Sequence, residues 1–170
     1  MDLELTPELQ KVIDGLTESF AEDVIKVYQS SGDTFVLIEA EAVLPVCRYL
    51  KQEHRFVYLA DVFGTDRFTQ QERFEVVYNM ISLKFRQRLF VKAWLEEENP
   101  EVDSVTEIWR AANWYEREVY DMFGILFRNH PDLRRIYMPE DYNYFPLRKE
   151  FPLLGIPGSI ELPSSTPDTE

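Results

Sequence analysis

The sequence predicts an α+β fold: a mostly antiparallel or mixed sheet of about five strands with helices on one face, followed by an extended C-terminal strap. Three observations lead there. Segments of helical period alternate with β-branched and aromatic runs in the order helix, two strands, helix, three strands, helix. None of the strand-like runs leads into a glycine-rich loop that opens a helix, which leaves neither a dinucleotide fingerprint nor a phosphate loop. After residue 127 the pattern stops, and Pro131, Pro139, Pro146 and Pro152 punctuate a stretch too polar for a core and too aromatic for a solvated tail. The expected organisation is therefore a domain over 1–127, a docking strap over 128–157 and a flexible tail over 158–170, where Ser, Thr, Pro and acidic residues dominate.

In order, Thr6 and Pro7 form an N-cap and first-turn pair, and Leu9, Val12, Ile13, Leu16 and Phe20 recur at helical spacing. Val24 to Tyr28 and Thr34 to Ala40 read as strands joined by a four-residue turn, Ser30 to Asp33. Pro45 opens a second helix with Val43, Val46, Cys47 and Leu50 on one face, and His54 ends it as a surface histidine favoured by the helix dipole. Arg55 to Ala60, Phe74 to Ser82 and Leu89 to Leu95 are the remaining strands, connected through Gly64-Thr65-Asp66 and the basic Lys84 to Arg88. Asn99 and Pro100 break the chain. Ser104 with Glu107 then suggests a capping box for a third helix, whose stripe is Val105, Ile108, Trp109, Ala112, Val119 and Phe123. Gly124 stops it, and Ile125 to Phe127 is a short extended piece.

Composition limits what the chain can bind. Eighteen Lys and Arg against 31 Asp and Glu give a net charge of -13, which disfavours nucleic-acid backbones and anionic lipid surfaces alike. Cys47 is the single cysteine, so no internal disulfide and no thiolate set for zinc or an iron-sulfur cluster can form; a small buried side chain is its expected role. The start is acidic without a signal-like apolar run, and no apolar stretch nears the roughly 20 residues needed to span a bilayer. A cytosolic or peripheral protein is expected.

The third helix and the strap carry the candidate residues. Glu116 falls within the apolar stripe, where a carboxylate must be paired, and Arg134 or Arg135 could reach it if the strap folds back. A buried structural ion pair is expected there in preference to proton transfer. Arg110, Trp114, Arg117, Glu118 and Asp121 project to the other side, with Arg117 and Asp121 four apart. Trp114 among those charges either packs beneath another part of the chain or anchors a partner. His130, in the turn His130-Pro131-Asp132, is expected to stabilise the turn or an interface, since His54 is the only other histidine.

Glu116-Arg117-Glu118, Asp121-Met122-Phe123-Gly124-Ile125, His130-Pro131-Asp132-Leu133-Arg134-Arg135-Ile136 and Pro146-Leu147-Arg148-Lys149 together resemble the signature of the C-type, or 30-kilodalton-type, subunit of respiratory complex I, the proton-pumping NADH:quinone oxidoreductase (NDH-1). The likeness continues upstream through Ser104-Val105-Thr106 and Ala111-Ala112-Asn113-Trp114, and departs at Tyr142 to Phe145, where a Trp and a Gly are expected. It implies a peripheral-arm subunit lying against the D-type subunit near the quinone-binding region, with the B-type subunit as a further neighbour, on the cytoplasmic face of a bacterial inner membrane or the matrix side of a mitochondrial one. It also implies that FMN and the iron-sulfur clusters, which carry electrons from NADH to quinone, sit in partner subunits, and that this chain holds no cofactor, metal or catalytic residue. Trp114, Glu116, Arg117, Glu118, Asp121, His130, Asp132, Arg134, Arg135, Arg148 and Lys149 then become structural or docking residues. The competing expectations are the equivalent subunit of a ferredoxin-linked, photosynthetic-type or hydrogenase-related complex, and a free-standing acid-base enzyme using Glu116, Glu118, Asp121 and His130. Glu116 and Asp121 project to different sides of one helix, which weighs against the enzyme.

Overall fold

A computed structural model describes residues 5–68 and 70–156. Helix α1 (Pro7–Ser19) starts where Thr6 Oγ1 accepts the N–H of Leu9, and it buries Leu9, Val12, Ile13 and Leu16. Strands β1 (Val24–Ser30) and β2 (Asp33–Ile38) follow, with Ser30 opposite Asp33. The turn is thus two residues rather than four. Ser31 at φ 53° and Gly32 at φ 87° give the twist that matches two right-twisted strands. Helix α2 (Val43–Gln52) begins two residues before Pro45, and a three-residue turn of 3-10 helix leads into it.

The sheet is completed by β3 (Tyr58–Asp66), β4 (Phe74–Ser82) and β5 (Gln87–Leu95), in the order β1-β2-β5-β4-β3. Three neighbouring pairs are antiparallel and β2 with β5 is parallel, so the sheet is mixed. Gly64-Thr65-Asp66, expected as a connection, belongs to β3. The reason is packing: a Cβ on Gly64 would lie 2.7 Å from the Phe123 ring, so the glycine lets a helix lie directly on the strand.

Alternate strand residues, among them Val36, Ile38, Leu59, Val62, Val76, Tyr78, Met80 and Val91, form one cluster with the apolar stripes of all three helices. The helices therefore share one face of the sheet, as expected. On the other face Tyr28, Phe35 and Phe90 stack at 5.1 and 4.8 Å between centroids, and Lys92 pairs with Glu75 at 3.1 Å. Beyond β5, β6 (Glu101–Asp103) pairs in parallel with β7 (Leu126–Arg128) and brings the two ends of the third helix's segment together.

Helix α3 (Ala112–Phe123) is shorter than its sequence suggests. Lys51 Nζ donates to the Ile108 carbonyl that Ala112 would otherwise use, and the Ala112 N–H turns to Trp109 instead. The expected capping box does not form: Glu107 pairs with Arg48, and the Ser104 hydroxyl donates to Glu116 while its oxygen accepts the Thr106 N–H at 3.2 Å. Gly124 does end the helix in the left-handed conformation, at φ 75°. His54 also departs from expectation. Its Nε2 is buried beside Gly15 with no hydrogen-bond partner among the described residues, its ring packs edge-on to Tyr49, and burial lowers its basicity, an effect only partly offset by Glu53. The expected tail over 158–170 lies outside the described residues.

Candidate docking site on the third helix

The strap folds back over α3, and side chains from the more polar face of the helix hold it there. Arg117 donates from Nε to the Arg134 carbonyl at 3.0 Å and from Nη2 to the Arg135 carbonyl at 3.2 Å. One turn on, Asp121 accepts the backbone N–H groups of Ile136, Tyr137 and Met138 on a single oxygen, at 2.9, 2.6 and 3.0 Å. Its other oxygen takes Arg135 Nη1 at 2.7 Å, and both side chains are buried. Arg117 and Asp121 are thus buried under the strap rather than exposed and paired with each other. Three consecutive N–H groups aimed at one carboxylate make an anion cradle. Burial alone would raise the Asp121 carboxyl, but the N–H groups of Tyr137 and Met138, then Arg135 and Ile136, outweigh it and hold it below its usual value.

Further along, the Leu147 N–H donates to the Met122 carbonyl and Arg148 Nε to the Phe123 carbonyl at 2.7 Å, capping the helix end. The Arg148 guanidinium lies over the Phe145 ring at 4.4 Å and the Phe74 ring at 4.9 Å. Lys149 contributes its backbone rather than its ammonium: its N–H donates to Asp66 Oδ2 at 2.8 Å. Asp66 is also gripped by Arg73 at 2.8 and 3.0 Å, and Arg73 reaches Glu97 and Glu150. Burial would push the Asp66 carboxyl up, yet Arg73 and the N–H groups of Lys149 and Phe68 bring it down to about 2. Asp66, Arg73 and Glu150 had no signal in sequence, because 83 residues separate Asp66 from Lys149.

Glu116 is fully buried, but its partners are not the arginines expected from sequence. Oε2 accepts the Ser104 hydroxyl at 2.7 Å and Oε1 the Val105 N–H at 2.7 Å, which ties α3 to the turn after β6. Burial pushes this carboxyl up to about 7, with the two hydrogen bonds opposing the rise. Cys47 is buried below the helices, and burial and then Glu116 raise its thiol. His130 seats its side chain 3.9 Å from Glu116. Its Nδ1 accepts the Asp132 N–H at 3.0 Å, which leaves Nε2 to donate to the Asn113 carbonyl at 3.3 Å. His130 therefore closes its turn as a neutral ring, and burial lowers its basicity.

Asp132 and Arg134 pair with each other at 3.0 Å on the surface, and Glu118 is exposed. Trp114 is 61% exposed, with the Arg117 guanidinium 4.9 Å from its ring centroid. Tyr137, whose N–H sits in the Asp121 cradle, is exposed to the same extent. The arrangement is a charged clamp that turns an irregular segment into a fixed surface bearing two large aromatic groups.

The profile of one family, described as respiratory-chain NADH dehydrogenase, 30 Kd subunit, matches residues 36–156. The chain belongs to this family. The C-type subunit of NADH-quinone oxidoreductase from Geotalea uraniireducens is 41% identical over 148 residues, covering 87% of this chain and 90% of the relative. Its counterpart in Geobacter metallireducens is 42% identical over 149 residues, covering 87% and 92%. Among solved structures, the trypsin-resistant fragment of Nqo5 superimposes with a TM-score of 0.66 at 34% identity, over 74% of this chain and 99% of the fragment. A chain of an archaeal membrane-bound sulfane sulfur reductase shares the fold, with a TM-score of 0.72 at 20% identity over 86% and 87%. The clamp residues of this 30-kilodalton-type chain, from Arg117 to Arg148, all lie within the matched span.

Proposed function

We propose that the chain is a noncatalytic structural subunit of the peripheral arm of a proton-pumping NADH:quinone oxidoreductase. It docks chiefly on the D-type subunit near the quinone-binding region, with the B-type subunit as a further neighbour. FMN and the iron-sulfur clusters are held by companion subunits, and electrons pass from NADH to quinone without entering this chain. The observation that carries this reading is the use made of the motif's charges. Arg117, Asp121, Arg135 and Arg148 bond to backbone groups of the strap and of α3, so their chemistry is spent on shape. The result is a platform from which Trp114 and Tyr137 project, the residue types that anchor protein interfaces. Among the described residues no helix is long and apolar enough to cross a membrane. Attachment to the membrane is then through the complex, on the cytoplasmic side in a bacterium.

The test replaces Trp114 and Tyr137 with alanine in the intact complex. The expected outcome is loss of this chain from the complex under mild purification, with an unchanged fold for the isolated chain. Full assembly accompanied by lost quinone reduction would overturn the reading and place catalysis in this chain.

A further inference from the structure

A second recognition surface lies away from the clamp, at the C-terminal end of α2. Arg48, Lys51, Gln52 and Arg55 surround a cleft of about 430 Å³ with Val57, Ile108 and Glu107 as its other walls. Three cations share this cleft in a chain whose net charge is -13. Lys51 is held over the Trp109 ring, 5.7 Å from its centroid, while it donates to the Ile108 carbonyl. Arg48 pairs with Glu107, with both side chains about half exposed. Arg55 is exposed, and its guanidinium forms no hydrogen bond or ion pair among the described residues.

Arg55 also stands where a glycine would fit better. The Phe56 N–H closes on the Leu50 carbonyl six residues back, and Arg55, between the helix end and Phe56, is left-handed at φ 59°, the conformation that glycine usually supplies after a helix. An L side chain there is strained, and its guanidinium does nothing for the fold that offsets the strain. The guanidinium is thus left free to meet a group outside the chain.

We propose that this cleft receives an acidic segment of a neighbouring polypeptide, one Asp or Glu carboxylate lying between Arg55 and Arg48 and a flanking apolar side chain resting on Val57 and Ile108. The chemistry of the walls selects this occupant. Glu107 already sets a carboxylate on Arg48, so the cleft accepts that group, and planar guanidinium groups suit a carboxylate's two oxygens. The apolar floor gives a peptide side chain a contact that a free inorganic anion lacks. The inference rests on the reading of the chain as a docked subunit and adds a second contact to it.

The experiment uses the whole complex, treated with a zero-length carbodiimide that joins amines to carboxylates in contact. Lys51 is expected to couple to an Asp or Glu of another polypeptide of the complex. Coupling to Glu107 alone, or none while other lysines couple, overturns the proposal. Arg55→Glu should release the chain from the complex at lower salt, with an affinity about tenfold weaker. Arg55→Gly separates docking from folding. It should raise the melting temperature of the isolated chain, because the strain is relieved, and still weaken retention in the complex. Unchanged retention of both variants overturns the proposal. So does binding of the isolated chain to phosphatidylglycerol vesicles that Arg55→Glu abolishes, since the surface would then serve a membrane. If the chain co-purifies in a Trp114-dependent way while Lys51 stays uncoupled, only the cleft is wrong; if it never co-purifies, both readings fall.

Discussion

Glu116 and Asp121 lie five residues apart on one helix, are both fully buried, and titrate in opposite directions because their partners differ. Glu116 has two neutral donors, too few to offset lost hydration, so its carboxyl rises to about 7. The folded state then holds a proton that the unfolded state releases. Its contribution to stability is complete below pH 4.5 and is lost as pH rises through about 7. Glu116→Gln should remove that slope, so that the variant gains on the parent by on the order of 3 kcal/mol between those limits, as read from urea unfolding at a series of pH values. Asp121 has three N–H donors and a guanidinium, and its contribution runs the other way, present at neutral pH and lost in acid. Asp121→Ala leaves Arg135 buried without its carboxylate and orphans three N–H groups. A loss of about 3–5 kcal/mol is expected at neutral pH by the same measurement. Which carboxylate would be which could not be read from spacing, because the donors come from residues 104–105 in one case and 135–138 in the other.

Helix α3 and the strap depend on two glycines for opposite reasons. Gly64 provides close approach: a Cβ there would sit 2.7 Å from Phe123 and 3.2 Å from Val119. Gly64→Ala should cost about 1–3 kcal/mol in denaturant unfolding, because α3 must lift from β3 to admit it. Gly124 provides a left-handed turn, and a Cβ there would meet Phe145 and Arg148 at 2.6–2.7 Å. Gly124→Ala is therefore expected to loosen the strap more than the sheet, seen as faster tryptic cleavage at Arg134 and Arg148 with little change in far-ultraviolet circular dichroism. Element existence was legible in the sequence, since Phe74–Ser82 keeps its predicted ends and the stripe of α1 is buried where the period placed it. The start of α3 was not. Its apolar spacing runs back to Val105, but Lys51, from another helix, takes the carbonyl that would have continued it.

For the molecule as a whole, the anchors divide into a neutral core and a charged clasp. The sheet and helices are joined by apolar packing and by Glu116, which is protonated in acid, whereas the strap is joined through Asp66 and Asp121, both of which lie below the ordinary carboxylate range. Stability from these two groups is present above that range and is lost as pH falls through their lowered values, about 2 for Asp66. The strap should thus detach first in acid. Pepsin cleavage near Phe145 and Leu147, exposed segments once the clasp opens, is expected to accelerate between about pH 4 and 2 while the helical and sheet signal persists; simultaneous loss of both would contradict the division.

The chain's order of residues determined by itself the α+β class, the one-sided layering of helices, the identity of the motif and the likeness to the 30-kilodalton-type family. Period, turn residues and local spacing act over a few residues, and each can be read without knowing what lies across the molecule. Tertiary structure alone decided that β2 and β5 run parallel, that Arg117 and Asp121 face inward, that Ser104 serves Glu116 and that Lys149 reaches Asp66. These depend on donors and acceptors brought together from distant positions. A buried polar group must find a partner, and which partner it finds is settled by whatever the fold places within about 3 Å.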